Sequence, residues 1–178
     1  MKSLCIFCGA RDGLNGTYRQ EAELLGKQMA ENKISLVYGG GNVGMMGAIA
    51  DSVIRHGGYV IGVIPTSLVD LELAHPDAHE MIEVETMHKR KERMYALSDA
   101  FLALPGGFGT LDEFCEIFTW FQLGFHKKKI GFLNYDNYFD HLLSHFQHSV
   151  DQGFVDQHLY DTIIVENKVT EILPALLE

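Results

Sequence analysis

Cysteine, positive charge and long apolar runs are all scarce in this chain. Three of its 178 residues are cysteine: Cys5, Cys8 and Cys115. So odd and sparse a set excludes a disulfide framework and is expected of a protein of the reducing cytoplasm. No apolar run approaches the about 20 residues that a membrane-spanning helix needs. Lys and Arg number 14 against 24 Asp and Glu, a net charge of −10. That deficit excludes a general nucleic-acid groove, whose affinity comes from cations facing phosphates. It also excludes a surface that adheres to anionic membranes. One small anionic ligand is still permitted, because a local cation cluster overrides the global sign. The opening residues hold one Lys and a short apolar run, which reads as a first strand and not as a secretory leader. There is no internal repeat and no low-complexity segment.

What the chain does have is alternation. Short apolar runs at 3–7, 35–38, 59–64, 81–84, 100–103, 129–133 and 162–165 read as strands. Stretches at helical spacing lie between them, at 17–31, 44–56, 87–98, 110–123, 138–153 and 169–177. The strands are mostly continuous apolar runs, as expected when both faces of a sheet are covered. Strand and helix in alternation imply right-handed crossovers and an α/β fold, a Rossmann-like doubly wound parallel sheet. The length suits a single nucleotide-binding domain over 1–178. In such a sheet the ligand sits at the carboxyl ends of the strands. Three strand ends carry unusual residues: Cys8-Gly9-Ala10-Arg11, Gly39-Gly40-Gly41-Asn42 and Pro105-Gly106-Gly107-Phe108-Gly109-Thr110. The irregular stretch 66–80 reads as a long loop or short helix near the site.

Both glycine runs place a strand, a flexible turn and a helix N-terminus in succession. Bare backbone, free N–H groups and the helix dipole together favour phosphate. Gly39, Gly40, Gly41 and Gly106 are the candidate phosphate loop. Neither run is a Walker loop, because no Gly-Lys-Ser/Thr follows. The strand after the first run ends in Ile64-Pro65, with no acidic residue to hold a ribose, which argues against a dinucleotide cofactor. Behind the second run, Thr110 and Glu113 fit a capping box. Glu113 and Glu116 are i, i+3 neighbours, and a carboxylate beside a sugar can activate water or stabilise an oxocarbenium-like centre. Upstream, Lys89, Arg90, Lys91 and Arg93 form a compact cationic run. Its ordinary reading is a solvated helix face, but here it leads into a glycine loop, where arginine suits an anion.

These residues bear a family resemblance. Residues 105–113, Pro-Gly-Gly-Phe-Gly-Thr-Leu-Asp-Glu, match the P-G-G-x-G-T-x-x-E signature of the Lonely guy (LOG) family. Met87-His88-Lys89-Arg90-Lys91 matches its M-H-x-R-K motif, and Thr119-Trp120, the 38–47 and 57–65 stretches and the opening Cys5-Ile6-Phe7-Cys8-Gly9 are similar as well. The resemblance implies hydrolysis of the N-glycosidic bond of a purine or cytokinin riboside 5′-monophosphate, giving free base and ribose 5-phosphate. It implies Arg90 and Glu113 as the catalytic pair. Glu72, Lys91, Gly107, Phe108, Gly109, Thr110, Leu111, Asp112 and Thr119 would contact the substrate, and Glu72 would close over the base or ribose. It implies a homodimer. Neither metal nor cofactor is expected. The motif does not fix the base. An older label of the family, lysine decarboxylase, fits poorly, since nothing marks a lysine for a pyridoxal phosphate Schiff base. A non-catalytic nucleotide or cofactor binder of the same fold is the alternative.

Three further features have structural explanations. Cys5 and Cys8 are spaced to face opposite sides of a strand and are expected to pack. His141, His145 and His148 share one helix face, without a matching acid or sulfur cluster. Phe114, Phe118, Trp120, Phe121 and Phe125 load the 110–125 region with aromatics on more than one side, which points to a partner subunit.

Overall fold

The computed structural model describes all residues except Met1, Asn15, Asp70, Leu71, Glu72 and Glu178. In chain order the elements are β1 (Ser3–Phe7), α1 (Thr17–Glu31), β2 (Ser35–Tyr38), α2 (Gly44–Arg55), β3 (Val60–Pro65), β4 (Glu80–Val84) and α3 (Met87–Leu97). There follow β5 (Ala100–Ala103), α4 (Phe108–Gln122), β6 (Ile130–Leu133), α5 (Asp140–Asp151), α6 (Gln157–Tyr160), β7 (Ile164–Glu166) and α7 (Val169–Leu177). Among the described residues, seven strands join in the order β4-β3-β2-β1-β5-β6-β7. Every pairing is parallel. The order reverses direction between β1 and β5, where Leu4 lies beside Ala100 and Phe7 beside Ala103. This is the doubly wound sheet expected from the sequence.

The period of two along each strand divides the core into two layers. Leu4, Ile6, Leu36, Tyr38, Ala100 and Leu102 point to one face, under α1, α2 and α7. Cys5, Phe7, Val37, Phe101 and Ala103 point to the other, under α3, α4 and α5. α1 buries Ala22, Leu25 and Met29 at helical spacing. On the second face Phe114 of α4 packs on Phe132 of β6, with ring centroids 4.0 Å apart. Fully burying an aromatic or aliphatic side chain contributes about 1.5–3 kcal/mol, so this layer fixes α4, and with it the residues at its start.

Three elements depart from expectation. α4 begins at Phe108, two residues early, with Gly107 as its N-cap. The helix expected over 138–153 is α5, which starts two residues late at Asp140 and is preceded by a short 3-10 turn, Tyr135–Asn137. Asp136 and Asn137 have φ of 53° and 56°, which breaks any continuous helix there. α6, four residues long, was not foreseen.

Candidate active site

A cleft of about 560 Å³ opens at the carboxyl ends of β1, β2 and β5. Its floor is the loop after β1, held between the two glycine loops. The Gly9 N–H donates to the Pro105 carbonyl (3.2 Å), and the Met45 N–H donates to the Gly9 carbonyl (3.1 Å). Gly44 opens α2 at φ +59°, and a Cβ there would strike the backbone of Ala10 and Arg11. Glycine is what lets the β1 loop rest on the start of α2.

The start of α4 forms one wall. Gly107, its N-cap, brings no side chain to the first-turn N–H groups. Thr110 therefore lies inside the helix, and the capping box with Glu113 does not form. Gly107, Gly109 and Thr110 all line the cleft. The first N–H groups of a helix have no intrahelical acceptor, and the dipole adds positive potential there. The Thr110 hydroxyl is buried beneath Gly106 and has no hydrogen-bond partner among the described residues. One turn further, Asp112 and Glu113 also line the cleft. The Tyr138 hydroxyl donates to the Gly106 carbonyl (2.6 Å), and Tyr18 braces that ring edge-on at 5.4 Å. The turn before α4 is thus clamped from outside.

Arg90 enters from the first turn of α3. That helix is N-capped by Thr86, whose Oγ1 accepts from the Lys89 N–H. Arg90 and Met94, at i and i+4, are its buried residues, and Arg90 is only 4% exposed. Its Nε donates to the Val63 carbonyl (3.1 Å) and its Nη2 to the Gly39 carbonyl (2.8 Å). A buried cation is costly unless hydrogen-bonded. Here carbonyls from β3 and from the loop after β2 hold the guanidinium plane beside the cleft.

The other expected residues separate by position. Gly39 and Gly106 line the cleft; Gly40 and Gly41 do not. The Gly40 carbonyl accepts from the His75 N–H (2.9 Å), and the Asn42 N–H donates to the Leu73 carbonyl (2.9 Å). That part of the loop anchors the 73–75 segment. Lys91 lies outside the cleft and joins α3 to α4 through Asp112 and Glu116, both at 3.1 Å. Burial opposes its charge, but these hydrogen bonds prevail and raise its pKa. Phe108 and Thr119 are exposed and Leu111 is half-buried, none of them lining the cleft. The Thr119 hydroxyl donates back to the Cys115 carbonyl (2.7 Å). Glu72 lies outside the described residues. Of the cationic run, only Arg90 faces the cleft; Lys89 pairs with Glu92 (2.8 Å).

Several lining residues carried no site role in the sequence: Asp12, Gly13, Tyr18, Met45, Met46, Met87 and Tyr138. The β1 loop was legible as a strand end, but Tyr138 gave no signal, being brought in by β6 lying next to β5. Burial, and then the negative charge of Glu113, push the Cys8 thiol well above its ordinary pKa, which favours the neutral thiol. His141, His145 and His148 are exposed on α5. Among the described residues no lysine lines the cleft, so these side chains do not fit a pyridoxal phosphate Schiff base.

Residues 46–176 match the family model described as "Possible lysine decarboxylase". The chain is 43% identical to the cytokinin riboside 5′-monophosphate phosphoribohydrolase LOG2 of Arabidopsis thaliana, over 99% of this chain and 83% of the relative. It is 42% identical to the enzyme of that description named LOG in Oryza sativa subsp. japonica, over 99% and 73%. Among solved structures, the molybdenum cofactor binding protein of Rippkaea orientalis superposes with a TM-score of 0.74 at 19% identity, over 100% and 99% of the two chains. The Moco carrier protein of Chlamydomonas reinhardtii gives 0.72 at 20%, over 98% and 94%. At such identities these last two share the fold alone. The match to the family model and the near full-length identity to its curated members place this chain in the LOG family.

Proposed function

We propose that the protein hydrolyses the N-glycosidic bond of a purine or cytokinin riboside 5′-monophosphate to free base and ribose 5-phosphate. The observation that carries this is the meeting, in one cleft, of an uncapped helix start, the Glu113 carboxylate and a buried, carbonyl-held Arg90. The phosphate sits against the first N–H groups of α4, which no side chain caps. Gly106, Gly107 and Gly109 allow its close approach. The ribose then lies toward Glu113, one turn along the helix. As the C1′–N bond lengthens, positive charge grows on the sugar, and the carboxylate stabilises it. Water adds its oxygen to C1′, and its proton leaves with the base. Glu113 orients that water, while Arg90 fixes the substrate and its charge. The names of the curated relatives support this choice of substrate class.

Incubating the protein with AMP and with isopentenyladenosine monophosphate tests the proposal. Release of free base and ribose 5-phosphate in equal amounts is expected. Tight binding of intact nucleotide without cleavage would instead make the protein a carrier, the alternative reading.

The working unit in this proposal is a homodimer. Phe108 at the start of α4 is 93% exposed, and Leu123 and Phe125 past its end are 61% and 69% exposed. A second copy would cover such a face. Sedimentation equilibrium should give twice the chain mass of 20.0 kDa; a single-chain mass at micromolar concentration would reject the dimer. Among the described residues no helix is long and apolar enough to cross a membrane. Three free thiols accord with the reducing cytoplasm as its location.

A further inference from the structure

Among the described residues the cleft lining holds two cations, Arg11 and Arg90, and three carboxylates, Asp12, Asp112 and Glu113. Nearly all of these charges are already engaged within the protein. Arg90 is held by backbone carbonyls. Asp112 pairs with Lys91. Asp12, the nearest acid in sequence to Arg11, is drawn away by Arg19 at 2.9 Å, and Arg19 is fixed in turn by Glu23 at 3.2 Å. Arg11 differs. It is exposed, and among the described residues its guanidinium has no ion pair or hydrogen bond. An exposed arginine on a convex surface would need no explanation. This one sits on the cleft floor, in a chain with a surplus of ten negative charges, and its acidic neighbour is turned aside.

Its backbone is fixed as well. The Arg11 amide nitrogen lies where a Cβ on Gly44 would be, against the start of α2. Two residues back, Gly9 is hydrogen-bonded to Pro105 in the loop that leads into α4. The residue is therefore carried on a rigid turn next to the helix start proposed above as the phosphate seat. An arginine fork matches two phosphate oxygens at once, and the N–H groups of α4 would take the rest.

We propose that Arg11 is a substrate-binding residue that closes on the 5′-phosphate and gives this cleft its preference for nucleoside monophosphates over nucleosides. This rests on the proposed function. It adds a residue outside the two family motifs and assigns it the discrimination between phosphorylated and unphosphorylated substrates.

Arg11→Ala and Arg11→Lys, compared with wild type on AMP and on adenosine, test it. A charge-assisted hydrogen bond to phosphate predicts that Arg11→Ala lowers the ratio of kcat/KM for AMP to that for adenosine by about 10–100-fold. The loss should fall on KM for AMP, as for an interaction present before the transition state. Ribose 5-phosphate should weaken as an inhibitor by a similar factor. Arg11→Lys should recover part of the preference, since charge remains and the fork is lost. An unchanged ratio in an Arg11→Ala protein that melts like wild type would overturn the proposal while leaving the proposed function standing. A wild type that neither cleaves nor binds AMP would overturn both.

Discussion

Glu113→Gln is expected to stop release of ribose 5-phosphate while the protein still folds and still binds AMP. The substitution keeps the size and shape of the side chain and removes its charge. The proposed phosphate seat is made by backbone N–H groups at the start of α4, so the nucleotide should dock with affinity near that of wild type. What is lost is the carboxylate that meets the cationic sugar and orients the attacking water. A positioned acid or base contributes about 10²–10⁴-fold, and stabilisation of developing charge adds to that. Turnover should therefore fall at least 1,000-fold, about 4 kcal/mol of barrier by the conversion of rate into free energy. Single-turnover assays with AMP, run beside equilibrium binding, separate the two effects. Turnover within tenfold of wild type would remove Glu113 from the reaction.

The fold was legible because the sheet is buried on both faces. Runs such as residues 4–7 and Ala100–Ala103 must then be apolar throughout, and they stand out from their amphipathic neighbours. The site was legible in its parts and less so in its assembly. Thr110 followed by Glu113 looks like a helix start, yet Gly107 is the N-cap, and without a side chain it leaves the first N–H groups uncapped. In the run from Lys89 to Arg93, charge alone could not show which residue turns inward. Packing decides it. Met94 is buried against the sheet, and Arg90, four residues earlier, shares its face. Lys91, about 100° further round the helix, is directed to α4 instead. Tyr138 is a harder case. It reaches Gly106 only because β6 lies beside β5, a tertiary fact with no local signature.

Arg90 should be the most sensitive position for stability and activity together, and three variants separate its roles. Arg90→Ala removes hydrogen bonds to the Val63 and Gly39 carbonyls in a buried setting. Bonds from a charged donor are worth about 1.5–3 kcal/mol each, so a loss of about 3 kcal/mol or more is expected. At this chain length that lowers the melting temperature by about 6–12 °C. Activity should fall at least 100-fold, the usual effect of removing one preorganised electrostatic group. Arg90→Lys keeps a positive charge and loses the planar fork that reaches both carbonyls. If geometry is what matters, it should be nearly as inactive as alanine but more stable. Lysine activity within threefold of wild type would mean that Arg90 supplies charge alone. Gly39→Ala approaches the same question from the other side. A Cβ at Gly39 would overlap the Arg90 Nη2 atom, so the guanidinium must shift although arginine is still present. It should reproduce most of the kinetic defect of Arg90→Lys, and combining the two changes should add little further, because neighbours acting through one contact are not additive. Full additivity would mean that Gly39 and Arg90 act on the substrate separately, and that the carbonyl contact is only a structural anchor.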